Sequence, residues 1–389
     1  MVILEGVADL PLHDGHVPLW MIKYMKRMSR AILAILIDEL GPEELVKRLA
    51  NPFWFQALNN IIGMDWDSSG STTVTTAIVK ESLKSLESGV YVAGGKGSQA
   101  KNTPRELREY SDKGFLDPEK AVFLEKASRL MAKTGSALLQ DGYTLYHHAI
   151  VFTERGSWTI IQQGMNIRDR IARRYHILGK NTLSSLEPHT GIVYKRVEPR
   201  VIDLTSRESI KSRDTIADLA SEKPEEVIRP LGRILAMAKG ILPLDGVHVD
   251  KSSLNEIREK ILYYIPSLEE VRRVKRVLEK TWEYKPKSID ELLLIRGVGP
   301  STIRALALVS DLIYGAPPST RDPASRYYPF RYAYAIGGKD GIPYPYDKKT
   351  AEEVIKVLED ALERARIGEK DKLRALKRLR RLLYLEQDR

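Results

Sequence analysis

The chain has 389 residues and no cysteine, and its 62 Lys plus Arg exceed 52 Asp plus Glu to give a formal net charge of +10. Disulfides, thiolate zinc sites, iron–sulfur clusters and cysteine nucleophiles are therefore excluded, and the basic excess favours a polyanionic partner. The longest apolar run, Ala31–Ile37, is far shorter than the roughly 20 residues that span a bilayer, and the N-terminus lacks the order of a signal peptide, so the expectation is a cytoplasmic protein with no membrane partner.

Residues 18–50 predict two helices broken at Gly41-Pro42, with Glu43 and Glu44 in the first turn of the second. A Ser/Thr cluster opens a further helix over 72–87, and Gly89–Ala93 is a short strand leading into Gly94-Gly95-Lys96-Gly97. Residues 94–115 are polar and predict a loop; 117–140 predict a helix started by Pro118. Tyr143–Phe152 and Ser157–Gln163 are rich in β-formers and flank the turn-like Glu154-Arg155-Gly156, the pattern of an antiparallel hairpin. A basic segment, Arg168–Tyr175, follows, and 191–204 offer one or two more strands. From about 206 onward the pattern is almost wholly helical, apart from a long loop over 315–349. The fold class expected is α+β: a mixed domain over 1–204 with a small antiparallel sheet, then a mainly helical domain over 205–389.

Four groups of residues bear chemistry. The first is Ile289–Ile313, where the apolar stripes Ile289, Leu292, Leu293 and Ile303, Leu306, Ala307 flank Arg296-Gly297-Val298-Gly299-Pro300. Glycine allows the tight turn and Pro300 suits the first position of a new helix. Backbone N–H groups at such a helix start bind phosphate without reading bases. Arg296, Gly297, Val298, Gly299, Ser301, Thr302 and Arg304 are the candidate DNA contacts, and Arg173 and Arg174 are added as a basic pair.

The second group is Asp65-Trp66-Asp67-Ser68-Ser69-Gly70-Ser71-Thr72. Its hydroxyls and N–H groups, Ser68 to Thr72, together with Lys96 of the Gly-rich segment, are candidate phosphate ligands. Asp65 and Asp67 are a candidate site for a divalent metal, Mg or Mn. The third is the dense polar set over 133–176, in which Lys133, Asp141, His147, His148, Gln163 and Asn166 are candidate catalytic residues. Strict alternation along this strand puts His147 with Tyr143 and Leu145, and His148 with Thr144 and Tyr146. The fourth is Asp322, 21 positions after Ser301.

The segment 289–326 resembles the helix-hairpin-helix DNA glycosylase superfamily, in which a catalytic Asp follows the turn. The resemblance implies that Asp322 stabilises a cationic sugar or activates water. Ser301 stands where bifunctional members carry a Schiff-base Lys, as in the monofunctional type. His148 with Gln163-Gly164-Met165-Asn166 resembles the phospholipase D nuclease spacing, although Ile150 replaces that family's Lys. Over nearly its full length the chain resembles an uncharacterised archaeal and bacterial family, a domain of unknown function. The segments that carry this are Ala8-Asp9-Leu10-Pro11-Leu12-His13, Pro52-Phe53-Trp54-Phe55-Gln56, Asp65 to Gly70, Gln140-Asp141-Gly142, Gln162 to Asn166, Ala172 to His176 and Gly337 to Gly341.

The expected function is DNA binding within a repair or processing enzyme, of nuclease or glycosylase type. A non-catalytic DNA-binding scaffold, and an enzyme on a small phosphorylated ligand, stay open beside it.

Overall fold

The computed structural model describes residues 6–7, 17–64, 69–238, 268–326 and 331–332, together with Lys349, Glu352 and Ile355. Helix breakers set the first elements. α1 (Leu19–Leu40) ends at Gly41, whose φ of +84° suits glycine, and Pro42 at once starts α2 (Pro42–Leu49). Asn51 caps α3 (Pro52–Ile61) by accepting from the N–H groups of Phe53 and Trp54. α4 (Gly70–Lys84) follows.

The main sheet has five antiparallel strands in the order β2-β4-β5-β6-β7: β2 (Val90–Lys96), β4 (Thr144–Thr153), β5 (Trp158–Asn166), β6 (Ile171–Leu178) and β7 (Gly191–Val193). Two-residue strands form separate pairs, β1 (Gly6–Val7) with β9 (Arg331–Tyr332) and β3 (Leu139–Gln140) with β8 (Ile202–Asp203). The fold is α+β.

Period-2 alternation gives each sheet face its own core. Val90, Val92, Ala149, Val151 and Ile161 point to α1–α4, against Met21, Met25, Met28 and Phe55. Ile150, Phe152 and Ile160 point the other way, onto α6 (Pro118–Lys133). That second core runs on without a break through α7 (Ile210–Ser221), α8 (Pro224–Ala238), α9 (Leu268–Tyr284), α10 (Ile289–Leu294) and α11 (Pro300–Tyr314). Each fully buried Leu or Ile contributes about 1.5–3 kcal/mol relative to exposure, so both segments of the chain draw on one apolar interior.

Three expectations change. Residues 98–112 are helical, not loop: α5 (Ser98–Asp112) buries only Thr103 and Leu107, a stripe too narrow to register as amphipathic. The basic segment after Arg168 becomes β6, because Ile171–Leu178 pairs along its length with β5. The third concerns β4. The register shifts between Leu145, opposite Gly164, and His147, opposite Gln163, leaving Tyr146 as a bulge. One extra residue reverses the alternation. His148, and not His147, therefore shares a face with Leu145.

Candidate functional site

The turn at 295–299 is built from buried anchors. Ile289, Leu292 and Leu293 of α10 are buried, and the fully buried Val298 pins the turn itself. Gly297 has φ of +105°, and a Cβ there would also stand 3.4 Å from Val277. No described side chain caps the start of α11. Two carbonyls of the turn are held from below. The Lys133 ammonium donates to Val298 O, and Gln140 Nε2 donates to Pro300 O at 3.2 Å. In a planar trans peptide the C=O and N–H point in opposite directions. The N–H groups of Gly299 and Ser301 are therefore turned away from Lys133 and Gln140.

Arg296 and Gly297 are exposed at the tip, and Gly299 and Ser301 are half-buried, whereas Thr302 lies under the surface. The Ser301 hydroxyl donates to Glu270 at 2.8 Å, and Arg304 lies 3.6 Å from the same carboxylate. Burial pushes the Lys133 ammonium below the usual lysine range.

The polar set of the sheet divides between its two faces. On the α6 face, His148 lies between Ser128 Oγ (2.8 Å) and the Gln162 amide (3.0 Å), and Gln162 also donates to Met131 O at 3.1 Å. The Gln162 amide N–H donates to Nδ1, so Nε2 carries the proton given to Ser128. Burial lowers the His148 pKa to about 4. The ring is a neutral clamp between helix and sheet.

Farther along that face, Arg173 is wholly buried between two carboxylates. Its guanidinium meets Asp141 at 2.8 Å and both oxygens of Asp322 at 2.8 and 3.1 Å, and donates to Arg196 O at 3.0 Å. Tyr175 donates to Asp141 at 2.6 Å, and the Tyr143 ring lies 4.5 Å under the guanidinium. Burial pushes the Asp141 carboxyl up, opposed by Arg173, Tyr175 and the Tyr143 N–H. Asp322 also accepts the N–H groups of Glu198 and Ala324, at 2.6 and 2.9 Å. Its acceptor sites are taken up in joining β6 to the segment after Arg321.

On the α4 face, Gln163 bonds Thr72, Tyr146 and, at 2.8 Å, Ser69 O. Arg174 donates to Gln56 at 2.8 Å over the Phe55 ring, and Gln56 donates to Asn60 at 3.1 Å. His147 is the exception. It is 1 % exposed, neither ring nitrogen has a hydrogen-bond partner among the described residues, and burial lowers its pKa to about 3. A buried unsatisfied group costs roughly 1–3 kcal/mol.

The seven candidate catalytic residues thus do not converge. Asp141 and Asp322 share Arg173; His148 joins α6; Lys133 supports the turn; Gln163 and His147 lie on the opposite face. Asn166 bonds Asp169 at an exposed strand end, about 13 Å along β5 from Gln162, the partner of His148. Arg173 and Arg174, expected as DNA contacts, are both fully buried and cannot face a nucleic acid. By contrast, Ser69, Gly70 and Lys96, read separately as phosphate ligands, line one cleft, with Ser71 and Thr72 buried behind it. Asp65, Asp67 and Ser68 lie outside the described residues. Among the described residues no group of three or more His, Asp or Glu side chains is placed to hold a metal ion.

Sequence reasoning gave no role to Ser128, Gln162, Tyr175 or Gln56. Three of these stand in segments that carry the full-length resemblance, but spacing alone does not say which side chains meet across strands. The family described as "Protein of unknown function (DUF763)" matches residues 6–346. The chain belongs to the DUF763 family. No curated protein and no solved structure matches it. The turn, the Arg173 cluster and the cleft all lie inside the DUF763 segment. No described helix is long and apolar enough to cross a membrane.

Proposed function

We propose that this protein binds a nucleic-acid backbone, DNA foremost, through the turn Arg296–Ser301, in the manner of a helix-hairpin-helix, and that it serves DNA processing. The observation that carries the reading is the pair of anchored carbonyls. Lys133 and Gln140 fix Val298 O and Pro300 O from one side, so two N–H groups face the other. With the start of a 15-residue helix that no described side chain caps, and the exposed Arg296, they suit a phosphate oxygen. Such contacts position a backbone and carry no base information.

The binding reading stands without chemistry at Asp322. That side chain is 2 % exposed and paired with Arg173, which favours a scaffold role for it over glycosylase or nuclease catalysis. Fluorescence anisotropy with labelled duplexes of unrelated sequence tests the proposal. Similar affinities that fall steeply with salt are expected; absence of salt-dependent binding overturns it. Incubation with uracil-containing, abasic and intact DNA, with and without Mg²⁺ or Mn²⁺, tests whether a reaction accompanies binding.

A further inference from the structure

β2 is an edge strand of the main sheet: β4 pairs one side of it, and no described strand pairs the other. Such an edge presents a row of N–H and C=O groups to whatever lies beside it. Glu154 N–H bonds Gly89 O and Gly97 N–H bonds Tyr146 O, so the odd residues of this stretch bond toward β4. In an antiparallel ladder the alternate residues, Val90, Val92 and Gly94, then turn their backbone groups outward.

Side chains stand where the next strand would run. Ser88 Oγ lies 3.3 Å from both the N–H and the carbonyl oxygen of Val90, and the Tyr110 hydroxyl donates to Val92 O at 3.3 Å. The Lys80 ammonium donates to Gly94 O at 2.9 Å, and Glu106 accepts the Gly94 N–H at 3.1 Å. Lys80 comes from α4 and Glu106 from α5, and their ion pair, 2.6 Å long, bridges the gap between the two helices. These contacts fall on every second residue, the repeat of a β-ladder. All four side chains line a cleft of about 1380 Å³ along this edge.

The cleft has an apolar wall on each side of the sheet plane. Toward α4 stand Val74 and Ala77, with Leu19 of α1 exposed at the rim. Toward α5 the Tyr91 ring lies 5.1 Å from Tyr110 and 5.2 Å from Phe115. Successive side chains of an extended segment point to opposite faces, so a strand laid beside β2 sets them alternately against these two walls. The sheet of a second copy does not fit here, because its own α4 and α5 flank the same edge and meet those of the first.

We propose that the outer edge of β2 receives an extended, apolar peptide segment of a partner protein as a sixth strand, and that the Lys80–Glu106 pair is a latch that opens when the segment enters. The backbone of the segment takes over Val90, Val92 and Gly94 from the side chains that now hold them, while the walls select its side chains. This surface is independent of the turn at 295–299.

The test selects binders to the full chain from a phage-displayed library of random decapeptides and reads the affinity of the synthesised, labelled winner by anisotropy. Two further versions of that peptide carry N-methyl groups on its odd or on its even residues. Only alternate N–H groups of an added strand face β2, so one version is expected to bind about tenfold more weakly and the other as the parent does. Lys80→Met/Glu106→Gln removes the latch and is expected to bind the parent peptide about tenfold tighter. Tyr110→Phe, which keeps the ring and releases Val92 O, is expected to shift affinity in the same direction and serves in place of a double variant that does not fold. The proposal fails if no peptide is selected, if both methylated versions or neither lose affinity, or if the opened edge binds no tighter than the wild type. Loss with both marks a helical occupant, and loss with neither marks one held by its side chains alone.

Discussion

Replacing Lys133 by Met separates the shaping of the turn from its charge. Met keeps the length and apolar stem of the side chain and removes the ammonium that holds Val298 O. A hydrogen bond to a charged group is worth roughly 1.5–3 kcal/mol, and for this half-buried lysine the lower figure applies, about 1.5 kcal/mol of stability. The released Val298–Gly299 peptide no longer presents its N–H, and losing one oriented donor to a phosphate is expected to cost about 1.4 kcal/mol, tenfold in Kd. Because the ammonium is committed to a carbonyl, few counterions depend on it. Lys133→Met should therefore weaken duplex binding without changing the slope of log K against log salt. Arg296→Ala, at the exposed tip, should reduce that slope by about 0.9. Anisotropy titrations at four or five salt concentrations read both quantities. Wild-type affinity in Lys133→Met refutes the reasoning. So does a slope change as large as that of Arg296→Ala, since the ammonium would then meet phosphate itself.

Other outcomes follow from the same geometry. Glu270→Gln removes the carboxylate that lies against Ser301 and Arg304 and should tighten duplex binding about threefold to tenfold; unchanged or weaker binding counts against an anion site at this helix start. Asp322→Asn leaves Arg173 short of a counter-charge in a dry interior and should cost about 3–5 kcal/mol of folding stability, read as a lower denaturation midpoint; a folded variant of undiminished stability would mean that the buried triad is not structural. Burial depresses His147 to about 3 and His148 and His189 to about 4, and lowers His176 well below the usual histidine range. The unfolded chain therefore binds protons near pH 6.5 that the folded chain refuses, and stability present above that pH is lost as pH falls toward 4. Each such proton steepens the loss by about 1.4 kcal/mol per pH unit. A stability curve flat between pH 7 and 4.5 would contradict this.

Helix punctuation was legible because it is local. Gly41-Pro42 and Pro118 mark their boundaries within the chain, and Glu154-Arg155-Gly156 turns between β4 and β5 as its composition implies. The paired glycines, Gly94 and Gly95, were legible as unusual but not for their reason. A Cβ at Gly94 would lie 2.3 Å from His148 O, and one at Gly95 would lie 2.3 Å from Gln99. The close approach of the β4 backbone requires glycine at Gly94, whereas at Gly95 the near atom is the movable end of Gln99 and it is the φ of +148° that favours glycine.

The candidate residues were harder to place because their meaning depends on partners far away in the chain. Asp141 and Asp322 both look like acids available for chemistry until Arg173 is found between them. Arg174 looks like a surface charge until β6 buries it against Gln56 and Phe55. The bulge at Tyr146 is the sharpest case, since nothing in a run of alternating residues announces where one is left unpaired. That single residue decides which histidine belongs to α6 and which to α4.

The Lys133 contact has a consequence for how the molecule can be taken apart. The residue that shapes the turn lies 165 positions upstream of the carbonyl it holds, and Gln140 comes from the same distant stretch. A fragment beginning at residue 205 would keep both helices and lose what orients the peptides between them. The turn is not a cassette that can be cut out or grafted onto another scaffold with its geometry intact.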